Sequence, residues 1–150
     1  MPVLDTESPA EPRRGSPPRS AGSGRSLPLA VLETMRPKQW SKNAFVLAGL
    51  LFSGEVVHLD AVLPALVVAV AFCLVSGATY LLNDAIDAEA DRHNPRTASR
   101  PIARGDLSPR LAIGAASLAA LAGACMAAAI NWGSLVTLLG YVVLQIAYSN

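Results

Sequence analysis

Two stretches of this chain, residues 61–82 and 111–150, hold no charged side chain, and they set the reading of everything else. An apolar run of about twenty residues is the length of helix that crosses a bilayer, so 61–82 predicts one span. Its Pro64 falls in the first turn, where a missing N–H does no harm. Asn131, Trp132 and Gly133 break the longer stretch into spans over 110–130 and 134–149. Ser108 and Pro109 fit the N-cap and first helical position of the former. In that span Ala119, Gly123 and Ala127 form a small-residue seam that permits close helix contact. A shorter run, AFVLAGLLFSG, is only eleven residues long. A span over about 38–57 is nevertheless expected, because an odd crossing must precede the loop carrying Glu55, His58 and Asp60. Pro37 marks its start and Trp40 its interface. Ahead of it, 27–35 reads as a short amphipathic helix lying at the membrane surface. Gln145 is expected to bond between helices. The predicted fold class is all-α: a polytopic transmembrane helical bundle of about four spans.

Composition strengthens this. With 52% hydrophobic and 15% charged residues, the chain does not fit a soluble domain. The twelve Lys and Arg residues cluster in two places, before residue 43 and between 92 and 110. The intervening loops near 55–60 and 131–133 have none, so the positive-inside rule places both basic regions and the N-terminus in the cytoplasm, with the chain in the cell membrane. Residues 1–26 are rich in Pro, Ser, Gly and Arg and are expected to form a disordered tail. Their arginines are not followed by the apolar core of a signal peptide. Cys73 and Cys125 sit in apolar runs and read as small hydrophobic fillers. His58 and His93 fall in loops and are given no ligand role. No nucleic-acid partner is expected.

Candidate chemistry gathers where the 61–82 span ends. Asn83, Asp84, Asp87 and Asp91 follow within nine positions, and a continuing helix would stack them on one stripe. Oxygen ligands in such a row suit magnesium, which takes one or two carboxylates, keeps waters and accepts substrate phosphates. A diphosphate-bearing substrate is the natural complement. Arg96, Arg100 and Arg104 follow, and guanidinium groups hold phosphate by charge-assisted, often bidentate bonds. Carboxylates at a helix C-terminus oppose the dipole, so something positive must compensate. The same residues also fit a solvated helix end with salt bridges such as Asp87 to Arg92. Lys42 reads either as a snorkelling interfacial lysine or as a phosphate contact.

The string N-D-x-x-D-x-x-x-D from Asn83 to Asp91, followed by R-P-I-A-R-G from Arg100, resembles the first aspartate-rich motif of the UbiA-type intramembrane prenyltransferase superfamily. The opening R-P-K-Q-W-S-K-N from Arg36 to Asn43 is similar to its phosphoribosyl-transferring branch, the decaprenyl-phosphate phosphoribosyltransferases. The resemblance covers 36–150. It implies that Asn83, Asp84, Asp87 and Asp91 bind Mg2+ on 5-phosphoribosyl diphosphate, with Asp84 and Asp87 as the catalytic residues. It also implies that Asn83, Lys42, Arg100 and Arg104 contact substrate, and that a polyprenyl (decaprenyl) phosphate accepts the sugar for arabinan cell-wall precursors. Family members carry more spans and a second aspartate-rich motif, whereas no acid follows Asp106 here. Residues 27–150 are therefore expected to be a partial UbiA-like domain, the N-terminal half of the fold. A missing C-terminal half or an oligomer would complete it. Two alternatives stay open: an aromatic prenyltransferase using an isoprenoid diphosphate, and a catalytically silent fragment that binds lipid phosphate.

Overall fold

A computed structural model describes residues 25–149. The tail expected over 1–26 therefore lies outside the described residues as far as residue 24. Every regular element among the described residues is helical: α1 (Leu27–Thr34), a 3-10 stretch (Pro37–Leu47), α2 (Ala48–Ser53), a second 3-10 turn (Glu55–Val57), α3 (Leu59–Ile86), α4 (Ala88–His93), α5 (Pro109–Ile130) and α6 (Trp132–Ser149). Two of these, α3 and α5, are long and apolar enough to cross a membrane, and α6 adds a shorter apolar helix.

The start of α5 follows from its sequence. The Ser108 hydroxyl accepts from the Leu111 N–H at 3.3 Å and Pro109 opens the helix, so one orphan donor is capped and another is absent. At its far end Asn131 leaves the helical conformation, and its side-chain oxygen accepts from the Ser134 N–H at 2.8 Å, starting α6.

Helices α3 and α5 pack along the small-residue seam. Ala112, Ala116 and Ala127 are fully buried, and a Cβ added at Gly123 would lie 2.9 Å from the Ala71 carbonyl oxygen and 2.8 Å from Val75. Backbones approach this closely only where the side chain is a hydrogen. Around Gly123, Ala71, Phe72, Val75, Ala127 and Leu138 close one core cluster, and the Phe72 and Tyr141 rings lie 5.1 Å apart within it. A second cluster sits at the end of the bundle bearing the acidic residues, where Ala30, Met35, Ala78, Leu81, Ile102 and Leu107 meet. Ile102 and Leu107 come from the 94–108 connection, so this loop is anchored in the core at both points. The interhelical bond expected of Gln145 is not made through its Oε1, which is buried with no partner among the described residues.

The span expected over 38–57 is drawn differently. A 3-10 stretch leads into the short α2, and Gly54 ends it at φ 77. The physical reason lies in the sequence, since eleven apolar residues give too little continuous surface to drive one long helix, and a left-handed glycine closes it. The stretch is held by the buried Asn43, whose amide donates to Cys73 Sγ at 3.7 Å and accepts from the Tyr141 hydroxyl at 3.4 Å. Phe45 and Phe52 point outward, 82% and 90% exposed, as lipid-facing or partner-facing side chains do.

Candidate functional site

The site lies where α3 ends. The helix stops at Ile86, and Asp87, at φ −85 and ψ 1, makes the bend into α4. Its N–H still donates to the Asn83 carbonyl, and the Asp91 N–H to the Asp87 carbonyl, so α3 and α4 form nearly one helix with a kink. The expected stripe is thereby divided. Asp84 and Asp91 turn inward and are buried, Asn83 is half-buried, and Asp87 faces solvent.

Two arginines converge on the buried pair. Arg36 Nη2 donates to Asp84 Oδ1 at 3.0 Å, and Arg100 Nη1 lies 3.1 Å from the same oxygen and 2.8 Å from Asp91 Oδ2. Asp84 is 2% exposed, so an unpaired charge there would be costly, and two guanidinium partners resolve it. Arg36 adopts φ 53, the single non-glycine residue with positive φ among those described. The strained backbone turns its side chain back from the Pro37 boundary so that the guanidinium lies over the Tyr80 ring, 4.7 Å from the centroid. The Trp40 indole N–H donates to the Met35 carbonyl at 3.2 Å and fixes the same corner. Beside it opens a cleft of about 360 Å³ lined by Glu33, Arg36, Pro37, Lys38 and Gln39.

The other expected contacts are spread out. Lys42 is exposed on the 3-10 stretch next to the buried Asn43. Arg96 is exposed, and Arg92 pairs with Glu89 at 2.6 Å and not with Asp87. His93, expected in a loop, is the exposed last residue of α4, and its Nδ1 lies 2.9 Å from the Glu89 carbonyl one turn back. Arg104 turns away from Asp84 and Asp91. Its Nη1 and Nη2 fork onto Glu33 at 3.2 and 2.8 Å, its Nε meets Asp106 at 2.5 Å, and Nη1 also donates to the Ser99 carbonyl. Hydrogen bonding from Arg104 holds the Glu33 carboxyl below the usual glutamate range, and the Glu33 bond in turn raises Arg104.

Among the described residues no three His, Cys, Asp or Glu side chains come together as a ready-made metal cage. Magnesium needs no such cage, because one or two carboxylates with water and phosphate oxygens fill its shell. Here the carboxylates do not converge as one set: Asp84 and Asp91 are buried on Arg36 and Arg100, and Asp87 faces solvent, so one or two of them at a time are the most this arrangement offers a cation.

Glu33, Arg36 and Tyr80 join this site without being among the candidates that the sequence pattern singles out. Arg36 carried a signal, since a cation immediately before a proline is held out of the helical region. Glu33 carried none, because its partner is 71 residues away.

Comparison with known proteins gives the family. Residues 43–150 match the UbiA prenyltransferase family. The chain is 36% identical over 133 residues to a decaprenyl-phosphate phosphoribosyltransferase of Mycolicibacterium smegmatis, covering 86% of this chain and 42% of that protein. It is 35% identical over 140 residues to the protein of the same name in Corynebacterium glutamicum, covering 91% and 40%. A protoheme IX farnesyltransferase of Pseudomonas paraeruginosa is 38% identical over 80 residues, covering 50% of this chain and 26% of that one. The chain thus spans well under half the length of the curated relatives it matches.

Proposed function

The chain belongs to the UbiA prenyltransferase family, and from that premise we propose that it serves in transferring 5-phosphoribose from phosphoribosyl diphosphate to a polyprenyl phosphate, the decaprenyl lipid being the acceptor in arabinan precursor synthesis. The observation that carries the reading is the convergence of Arg36 and Arg100 on the buried Asp84, beside Asp91 and the exposed Asp87. A cluster of this kind offers both the anionic ligands and the cations that a diphosphate donor requires.

In this reading Asp84, Asp87 and Asp91, with Asn83, would hold Mg2+, which neutralises charge on the departing diphosphate. Asp87 is the accessible member, and Asp84 and Asp91 are held ready by their arginines. Arg100 and Lys42 bind phosphate oxygens, Arg100 from its loop and Lys42 from the 3-10 stretch. The bond from the sugar C1 to the diphosphate oxygen breaks with its electron pair leaving on diphosphate. A new bond forms from C1 to an oxygen of the lipid phosphate. Products are polyprenyl-phosphoryl phosphoribose and diphosphate. An apolar cleft of about 400 Å³ lined by Phe45, Ala48, Leu51 and Phe52 follows Lys42 on the same segment and suits an isoprenoid tail. The basic flanks support a reaction at the cytoplasmic face of the cell membrane.

A second reading, transfer of an isoprenoid from its diphosphate to an aromatic ring, draws on the farnesyltransferase relative. That likeness extends over half of the chain, against 86% and 91% for the phosphoribosyltransferases. The direct test is Asp87→Asn in the full-length gene product in its native membranes. Loss of phosphoribosyl transfer by at least about 100-fold, with normal membrane insertion, is expected for a metal ligand. A fully active variant would remove Asp87 from the chemistry.

A further inference from the structure

We propose that Glu33 and Arg104 form a positioning brace that sets the separation of Arg36 and Arg100, and thereby tunes the affinity of the Asp84 cluster for a diphosphate-bearing donor; this deepens and rests on the function proposed above.

The placement is the reason. Glu33 stands three residues before Arg36, and Arg104 four residues after Arg100, with the Arg104 N–H donating to the Arg100 carbonyl at 3.0 Å. The two segments that deliver cations to Asp84 are therefore joined to each other at a second point. The join is a two-bond fork, Nη1 to Oε1 at 3.2 Å and Nη2 to Oε2 at 2.8 Å, which fixes orientation as well as distance. A lysine could not reproduce it.

All three guanidinium nitrogens of Arg104 are engaged, by Glu33, Asp106 and Ser99. The Asp106 side chain is 1% exposed, so this partner belongs to the folded loop. Four of its five N–H bonds are used in this way, so a bidentate grip on a substrate phosphate would require giving some of them up. Glu33 is also held by Arg25 at 2.6 Å and lines the cleft that contains Arg36 and Lys38. The charges of Arg25, Arg104, Glu33 and Asp106 cancel. Removing one acid and one base from the brace thus leaves the net charge unchanged while abolishing the join. Arg104 is accordingly a positioning residue and not a phosphate contact.

The test is a double-mutant cycle on the full-length protein in nanodiscs, with binding of phosphoribosyl diphosphate and Mg2+ measured by calorimetry and amide exchange followed over 99–106. The brace requires that E33Q and R104Q each weaken binding by about 10-fold, that E33Q/R104Q weaken it no more than either alone, and that all three speed exchange in the loop. R104K, which keeps the charge and loses the fork, should fall with R104Q. Loss in R104Q with E33Q unaffected would make Arg104 a direct phosphate contact and overturn the proposal, as would unchanged binding in both. If the parent protein binds no donor, the functional reading fails. The brace then stands or falls on whether E33Q and R104Q raise loop exchange alike, and unchanged exchange overturns it.

Discussion

Arg100 and Asp91 meet at 2.8 Å with the acid almost wholly buried, and the same guanidinium nitrogen reaches Asp84 at 3.1 Å. One arginine thus bridges two buried carboxylates, with Arg36 as the second cation on Asp84. Replacing it by Gln leaves Asp91 without its ion pair and Asp84 with Arg36 alone. Breaking a buried pair in this way costs about 3 kcal/mol. Unfolding of Arg100→Gln in detergent should register that loss. Arg96→Gln, at an exposed position with no ion pair among the described residues, should stay within about 0.5 kcal/mol of the parent.

Contact between α3 and α5 rests on Gly123. A valine there would drive its Cβ into the Ala71 carbonyl, a backbone atom that cannot rotate aside. Gly123→Val should destabilise the bundle by about 1–3 kcal/mol through overpacking. Gly140→Ala meets open space and lies in a helix, so it should be neutral or stabilising by up to about 1 kcal/mol. Thermal denaturation of the two variants side by side separates the seam from helix propensity.

Acid should loosen the brace. The folded Glu33 carboxyl is held below its ordinary value by Arg104, so its contribution is complete above the usual glutamate range. It is lost as pH falls through the lowered folded value. Amide exchange over 99–106 should therefore accelerate on acidification in the parent protein, relative to a pH-matched core segment of α5. In Glu33→Gln that extra acceleration should be absent, and its persistence would show that another group titrates there.

Apolar runs and caps make α3, α5 and α6 legible in the amino-acid sequence, because each signal is local: an uncharged length, a Ser-Pro start, an Asn break. The seam through Gly123 is legible in the same way, although its partners Ala71 and Val75 are not, since nothing in one helix names the helix it packs against. The acidic stripe is half legible. Periodicity assumes an unbroken helix, and the kink at Asp87 turns one carboxylate outward while Asp84 and Asp91 turn in. Over residues 38–57 the topology argument expects a crossing, and the local apolar length does not say how it is built: a 3-10 stretch and the short α2 stand in place of one long helix. Arg104 is recognisable as an anion-binding residue, but its anion is the carboxylate of Glu33, a pairing between residues distant in the chain that no local pattern encodes.

The measurement closest to the central claim is donor choice. Native membranes carrying the full-length protein would be supplied with Mg2+, decaprenyl phosphate and ribose-labelled phosphoribosyl diphosphate, and in parallel with labelled farnesyl diphosphate and an aromatic acceptor. The account predicts ribose label in the lipid fraction, dependent on Mg2+ and abolished in Asp87→Asn, with no isoprenoid transfer. Transfer of the farnesyl group, with the ribose label left in the aqueous phase, would contradict it.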